Sequence, residues 1–185
     1  MNAEQLIAID SLIDALKGIK DKNKERCFFL DAPGGTGKTF VLNAFVHYCR
    51  SIKKKVIVTA YCGVAANLLI MGRTCHSQFK FPLNQDCTEG ITGTLKATEQ
   101  LGKDLYEADV VILDEGPMMH KKYWEQLHAT CIDLYRRFNP QAKNYNAPFA
   151  GKLIIGSGDL RQCLPVLKHG DRTTITQSVM NRSHL

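Results

Sequence analysis

A lysine and a threonine close a glycine-rich octapeptide near the start of the chain. Residues 32–39 read A-P-G-G-T-G-K-T, which departs only at Ala32 from the phosphate-binding pattern G-x-x-x-x-G-K-[S/T]. In such a loop the backbone N–H groups surround a phosphate, the lysine reaches the β and γ phosphates, and the hydroxyl binds Mg²⁺. Alanine resists positive φ, so we expect the neighbouring Gly34 and Gly35 to make the turn. The residues predicted to hold Mg-ATP are Pro33, Gly34, Gly35, Thr36, Gly37, Lys38 and Thr39.

Two adjacent carboxylates follow an apolar run in the second half of the chain. Asp114 and Glu115 come directly after V-V-I-L. An aspartate in this position can hold the Mg²⁺ shell, and the next glutamate can orient and deprotonate an attacking water. Strand ends are often acidic for no catalytic reason, but a phosphate loop upstream favours hydrolysis. We therefore predict Asp114 as a metal ligand and Glu115, with Lys38, as catalytic residues.

A polar block follows the last apolar run. Its sequence, G-S-G-D-L-R-Q, ends at Gln162. A glutamine at a strand end can donate a hydrogen bond to a γ-phosphate or to the attacking water. From spacing alone the block could also be an ordinary polar loop, and Gln162 is the third candidate catalytic residue.

Short apolar runs alternate with helical patterns along the chain. Continuous apolar runs indicate strands that are buried on both faces, and their alternation with helices indicates an α/β fold with a parallel sheet covered on both faces. Ligands of such sheets bind at the carboxyl ends of the strands. The predicted strands span 27–30, 56–60, 110–113 and 153–155. The predicted helices span 2–20, 39–51, 64–71, 96–107 and 120–138, with loops at 80–95 and 139–150.

Composition limits the class of protein. The 185 residues fit one domain, and the formal charge of +6 is compatible with a polyanion partner without requiring one. The seven cysteines include no C-x-x-C pair, which disfavours zinc and indicates buried free thiols in a reducing compartment. The sequence shows neither a signal-like N-terminus nor an apolar run of the roughly 20 residues that a membrane helix needs. We expect a soluble intracellular protein with no membrane partner.

Taken together, the motifs resemble those of the Pif-type 5′-to-3′ DNA helicases of superfamily one, and most closely the Helitron-like and eukaryotic branch. Similar blocks occur in family order over nearly the whole chain. They are N-A-E-Q at 2–5, the phosphate loop, 59–66 continuing to 72–77, L-D-E-G-P-M-M at 113–119, 158–166, and N-R-S at 181–183.

The resemblance implies a RecA-like phosphate-loop NTPase domain over residues 1–185, with a second RecA-like domain in cis. It implies ATP hydrolysis coupled to DNA unwinding in repair, recombination, telomere maintenance or transposition. Single-stranded DNA and duplex junctions are the implied partners of a monomeric, nuclear protein. For this chain alone we expect nucleotide binding, weak DNA binding and little unwinding. Gln5 and Arg161 are implied nucleotide contacts, and the implied DNA contacts are Thr59, Gly63, Thr74, His76 and Ser77.

The sequence departs from the family pattern at four positions. Ala32 replaces glycine, Cys62 replaces threonine, Gly116 replaces alanine or isoleucine, and Leu160 replaces an aromatic residue. None of these changes removes a predicted phosphate or metal contact, although Ala32 and Gly116 leave room for reduced activity.

Several alternatives stay open. Asn2 and Gln5 also form a capping-box pattern, so Gln5 has a local structural role available without adenine. Phe79 and Phe81 could stack on bases or pack in the core. At the level of function, a small phosphate-loop kinase and a degenerate nucleotide- or DNA-binding module remain possible.

Overall fold

A computed structural model describes residues 1–18, 25–81, 95–142, 145–162, 165, 171–180 and 183. In these residues the strands form one parallel sheet with the order β1-β5-β4-β2-β3. The strands are β1 (Cys27–Asp31), β2 (Val56–Ala60), β3 (Arg73–Thr74), β4 (Val110–Asp114) and β5 (Leu153–Gly158). The α-helices are α1 (Ala3–Lys17), α2 (Lys38–Ser51), α3 (Gly63–Leu68), α4 (Cys75–Phe79), α5 (Gln100–Glu107), α6 (Lys121–Phe138) and α7 (Arg172–Gln177).

The predicted α/β fold class is confirmed, and the structure corrects several boundaries. Strand β5 continues to Gly158, because Ser157 and Gly158 pair with Leu30 and Asp31 of β1. The helix expected over 64–71 ends at Leu68, and strand β3 and helix α4 follow where no element was predicted. A strand as short as β3 carries no readable periodicity. Residues 19–20, 82–94 and 143–144 of the predicted segments lie outside the described residues.

The sheet is buried on both faces, as the apolar runs indicated. In β4 the side chains alternate between two cores. Val110 and Ile112 pack with Leu42 and Phe45 of α2, whereas Val111 and Leu113 pack with residues of α6. Met119 and Trp124 belong to the second core. Within the described residues, no helix is both long and apolar enough to cross a bilayer.

The cysteines that the structure describes are free thiols. Cys49, Cys75 and Cys131 are buried, Cys62 is half-buried and Cys27 is exposed. The expectation of unpaired thiols is confirmed for these residues, but the expectation of burial is wrong for Cys27 and only half met by Cys62. Cys87 and Cys163 lie outside the described part of the chain.

A buried lysine joins the end of α5 to the start of β5. The side chain of Lys152 is largely buried and its Nζ donates to the carbonyl oxygens of Tyr106 and Ala108, each at 2.8 Å. Burial lowers the pKa of this ammonium. The lysine therefore satisfies carbonyls that the end of α5 leaves without a helical partner.

Replacing Lys152 by methionine should lower the free energy of unfolding by about 1–3 kcal/mol, because two carbonyls lose their donor in a buried setting. Urea denaturation monitored by circular dichroism measures the change. Lys103→Met, on the exposed side of the same helix, is the matched control and should leave the midpoint nearly unchanged. Equal midpoints for the two variants would contradict the role given to Lys152.

Candidate active site

The glycine-rich loop joins β1 to α2 at the carboxyl edge of the sheet. Gly35 and Gly37 adopt φ values of 77° and 88°, which only glycine takes without strain. Ala32 is not among the residues with positive φ, so its methyl group does not oppose the turn. The turn is made by Gly35 and Gly37, whereas the expected pair was Gly34 and Gly35.

The Lys38 ammonium lies over this loop. Its Nζ donates to the carbonyl oxygens of Ala32 at 2.6 Å and of Pro33 at 3.0 Å. The Thr36 hydroxyl also donates to the Pro33 carbonyl, at 2.8 Å. The loop thus places the Lys38 ammonium at the N-terminus of α2. The positive charge and the helix dipole both favour the binding of an anion there.

Gln5 reaches the loop from α1. Its backbone N–H donates to Asn2 Oδ1 at 2.9 Å, and its Oε1 accepts from the Asn2 backbone at 3.0 Å. The predicted capping box is therefore confirmed. In addition, Nε2 donates to the Thr36 carbonyl oxygen at 2.9 Å. Gln5 consequently supports the phosphate loop, and its contact with adenine stays a prediction.

Asp114 ends strand β4 beside β5. It is 3% exposed, and its Oδ1 accepts from the Ser157 hydroxyl and from the Glu115 backbone N–H at 3.0 Å. Among the described residues, no hydrogen bond falls on Asp114 Oδ2 or on the Thr39 hydroxyl. Carboxylate and hydroxyl oxygens suit Mg²⁺, which usually takes few protein ligands and keeps phosphate oxygens and waters. The two predicted ligands therefore fit the metal.

Glu115 holds a strained backbone conformation. Its φ of 57° lies in the left-handed region, which costs a non-glycine residue roughly 1–2 kcal/mol. Burial, and then the charge of Asp114, raise the pKa of Glu115, while the Lys38 ammonium opposes the rise. A carboxylate with a raised pKa is a better proton acceptor, as a catalytic base requires.

Two glycines let the segment after β4 pack closely against β5. A Cβ atom at Gly116 would lie 2.9 Å from Trp124 Cζ2, and one at Gly156 would lie 2.7 Å from Phe29 Cδ2. The departure at Gly116 is explained by this packing, since the Trp124 ring occupies the space of a larger residue. This close packing places Asp114 and Glu115 beside β5, the strand that also pairs with β1 next to the phosphate loop.

The segment after β5 lies against the phosphate loop. The Ala32 N–H donates to the Gly158 carbonyl oxygen at 3.1 Å, and the Leu160 N–H donates to Asp31 Oδ1 at 3.2 Å. A Cβ atom at Gly34 would lie 3.2 Å from Gln162 Nε2. The structure therefore brings Gln162 to the loop that holds Lys38.

Arg161 is engaged by a neighbour in the same turn. Its Nε and its backbone N–H donate to Asp159 Oδ1 at 3.1 Å and 3.0 Å. The backbone N–H above all, and the guanidinium, hold the pKa of Asp159 below its usual range. Arg161 is thus paired with Asp159 here, and its predicted contact with nucleotide stays a prediction.

Most of the predicted DNA contacts lie where β2 and β3 end. Gly63 begins α3 and Ser77 is exposed on α4, while Thr74 Oγ1 caps α4 by accepting from the Ser77 N–H at 3.3 Å. His76 is half-buried near the rings of Tyr61 and Tyr123, at centroid distances of 5.4 Å and 5.5 Å. Burial lowers the pKa of His76.

Three side chains lie too deep for DNA contact. Thr59 is 0% exposed and its hydroxyl donates to the Ile112 carbonyl oxygen at 2.7 Å. Its prediction as a DNA contact is therefore wrong, because its hydroxyl joins two strands inside the sheet. Phe79 and Phe81 are 2% and 4% exposed and pack in the second core, so the core alternative holds for both.

Cys62, the departure from threonine, keeps a capping role. Its Sγ accepts from the Ala65 N–H at 3.4 Å at the start of α3. A threonine hydroxyl would serve in the same position.

Ser157 is a site residue that the sequence analysis did not predict. The readable signal for it was a polar side chain between Gly156 and Gly158 in a buried strand.

The strain at Glu115 predicts a stability difference between two neutral variants. Glu115→Asn should be more stable than Glu115→Gln by about 0.5–1 kcal/mol, because asparagine tolerates the left-handed region better. Both variants remove the carboxylate, so charge cancels in the comparison. Thermal unfolding of the two proteins at the same pH measures the difference, and a Gln variant at least as stable as the Asn variant would argue against strain.

Comparison with known proteins identifies the family. A profile of the PIF1-like helicase family matches residues 1–185. The ATP-dependent DNA helicase Pif1 of Psychrobacter is 29% identical over 157 residues, which cover 85% of this chain and 22% of that protein. The chain thus spans less than a quarter of this relative's length.

Solved structures agree on the fold. Pif1 helicase from Candida albicans matches 100% of this chain with a TM-score of 0.75 and 24% identity, over 36% of its own chain. Bacteroides Pif1, solved bound to ssDNA, matches 89% of this chain with a TM-score of 0.64 and 25% identity, over 35% of its own chain. The predicted RecA-like fold is confirmed, whereas membership of the Helitron-like branch stays a prediction. The chain belongs to the PIF1-like helicase family.

Proposed function

We propose that this chain is the first motor domain of an ATP-dependent DNA helicase and that it hydrolyses Mg-ATP in response to single-stranded DNA. The observation that carries the proposal is the convergence of Lys38, Glu115 and Gln162 on one edge of the sheet. Lys38 donates to carbonyl oxygens of the phosphate loop, the Gln162 side chain lies beside Gly34, and the Lys38 charge acts on the Glu115 carboxylate. Family membership and the ATP-dependent relatives support the same reading.

The phosphate loop and the N-terminus of α2 bind the triphosphate. Backbone N–H groups between Pro33 and Thr39 donate to the phosphate oxygens, and Lys38 exchanges its contacts with the loop carbonyls for the β and γ phosphates. Thr39 and Asp114 would hold Mg²⁺, and the ion would supply positive charge that offsets the charge of the triphosphate. Gln5 keeps the loop in place from α1 through its bond to Thr36.

Glu115 orients the attacking water and accepts its proton. Its raised pKa strengthens the base, while the charge of the Lys38 ammonium favours the ionised carboxylate. Gln162 donates to the γ-phosphate or the water and so links the state of the nucleotide to the segment after β5. Ala32 leaves the loop undistorted, so nothing at this position favours the degenerate, non-catalytic alternative.

Single-stranded DNA crosses the edge where α3 and α4 begin, and the predicted contacts that remain are Gly63, Thr74, His76 and Ser77. The structure of Bacteroides Pif1 bound to ssDNA supports such a ligand. Movement in the 5′-to-3′ direction, action at duplex junctions and a second RecA-like domain in cis belong to the same proposal. That domain would supply arginines that speed hydrolysis by about 10³–10⁵ where measured in related enzymes. We also propose that the protein is nuclear and monomeric and that it acts in repair, recombination, telomere maintenance or transposition.

Measurements of ATP binding and of ATP hydrolysis distinguish the roles of Lys38 and Glu115. Lys38→Ala should weaken ATP binding by about 10–100-fold, since a charge-assisted contact to phosphate is lost. Glu115→Gln should keep ATP binding and lower turnover by about 10²–10⁴-fold, since only the base is lost. Nucleotide titration and phosphate release, with and without oligo(dT), measure both effects in this chain and in a version extended past Leu185.

The pH profile offers an independent readout of the base. Because Glu115 acts as the carboxylate and its pKa is raised, the acid limb of turnover should lie above the ordinary glutamate value of 4.5. Below that limb the rate should fall by about tenfold per pH unit. Full turnover by Glu115→Gln would remove Glu115 from the mechanism. So would a residual rate of this variant that keeps the same acid limb in its pH profile as the parent chain.

DNA binding tests the proposed edge. Ser77→Glu should weaken binding of fluorescein-labelled oligo(dT) by about tenfold, because a carboxylate at this exposed site would repel the phosphate backbone. Ser51→Glu, an equally exposed serine at the end of α2, carries the same charge to the opposite edge of the sheet. Anisotropy at low salt compares them, and equal losses would place the DNA elsewhere.

A further inference from the structure

A buried hydroxyl on β5 holds the predicted metal carboxylate. Ser157 is 0% exposed and its Oγ donates to Asp114 Oδ1, which also accepts from the Glu115 N–H at 3.0 Å. We infer that Ser157 is a positioning residue for the metal site: its hydroxyl fixes the rotation of the Asp114 carboxylate so that Oδ2 is presented to Mg²⁺. This inference rests on the proposed function.

The torsion that Ser157 controls is soft. A carboxylate turns easily about its Cβ–Cγ bond, because this sp³–sp² torsion has broad minima. Two donors on one oxygen remove that freedom, and Asp114, at 3% exposure, has little water to replace either of them. The Glu115 N–H is a neighbour in the chain, whereas Ser157 comes from another strand. Ser157 therefore ties the carboxylate to the sheet itself.

The strand offers no substitute for this hydroxyl. Along β5, L-I-I-G-S-G, Ser157 is the polar side chain, and Gly156 and Gly158 flank it. The glycines admit the Phe29 ring and the Pro117 ring close to the strand. The close contact between β5 and the segment after β4 thus leaves Ser157 as the side chain that reaches Asp114.

Strand β5 also leads into the segment that carries Gln162 to the phosphate loop. The carbonyl of Gly158 accepts from the Ala32 N–H at 3.1 Å, and the Gln162 N–H donates to the Asp159 carbonyl oxygen at 3.2 Å. Gln162 then meets the phosphate loop at Gly34. Ser157 consequently links Asp114, the predicted metal ligand, to the segment after β5 that carries Gln162.

The test compares binding of the ATP analogue AMP-PNP in Mg²⁺ and in EDTA. Groups that hydrogen-bond to metal ligands commonly contribute about 10–100-fold to metal affinity. Ser157→Ala should lose about tenfold or more of the affinity that Mg²⁺ adds, while its affinity in EDTA stays within about twofold of the parent chain. Ser157→Thr, which keeps the hydroxyl, should recover part of the loss if the added methyl is accommodated.

A matched control removes a buried hydroxyl elsewhere. Thr130, in α6, is 5% exposed and donates to the Gln126 carbonyl oxygen at 2.8 Å. Thr130→Val should leave the effect of Mg²⁺ on AMP-PNP binding unchanged. Thermal unfolding without nucleotide or metal confirms that each variant is folded, and a Ser157→Cys variant of the same size serves if Ser157→Ala does not fold.

The outcomes distinguish the two proposals. A folded Ser157→Ala or Ser157→Cys protein with the full Mg²⁺ effect would overturn the positioning role and leave the nucleotide site standing. A parent chain that binds no AMP-PNP in either condition would instead overturn the proposed function. A loss of equal size in Mg²⁺ and EDTA would show a general defect of the phosphate loop and would also refute the role.

Discussion

The pairing of β5 with both β1 and β4 is the constraint on which the site depends. Its register places Leu30 beside Ser157 and Leu113 beside Gly156. Since parallel strands end at one edge, the phosphate loop after β1 and the carboxylates after β4 lie on either side of the same strand. The glycines of β5 and of the following turn then allow a contact closer than side chains would permit. The chemistry of the site is therefore a consequence of backbone packing.

The charges of this edge act on one another. Lys38 lies over the phosphate loop, Asp114 is bound by two donors, and Glu115 lies beside Asp114 in a strained conformation with a raised pKa. A neutral residue that tolerates left-handed backbone would relieve both the strain and the repulsion between the carboxylates. Strain and raised pKa at a single residue are typical of a group kept for function at some cost in stability.

The other half of the same edge is organised by hydrophobic packing. Phe79, Phe81 and Tyr123 form a buried aromatic cluster beneath His76, with Phe81 and Tyr123 stacked at 4.7 Å. The cluster supports α4, whose exposed Ser77 stays at the surface. The apolar residues of this motif thus position its polar ones, and Ser77 is the one of them that lies exposed at the surface.

The amino-acid sequence alone predicts the α/β class, the four longer strands and the phosphate loop, because continuous apolar runs and glycine spacing are local properties of the chain. It also located Asp114, Glu115 and Gln162, since strand ends can be read from where apolar runs stop. The folded structure was needed to show that Thr59 is enclosed, that the Trp124 ring leaves room only for glycine at position 116, and that Ser157 donates to Asp114. Each of these facts depends on contacts between residues far apart in the chain, and local spacing carries no information about which side chain a neighbouring strand will present.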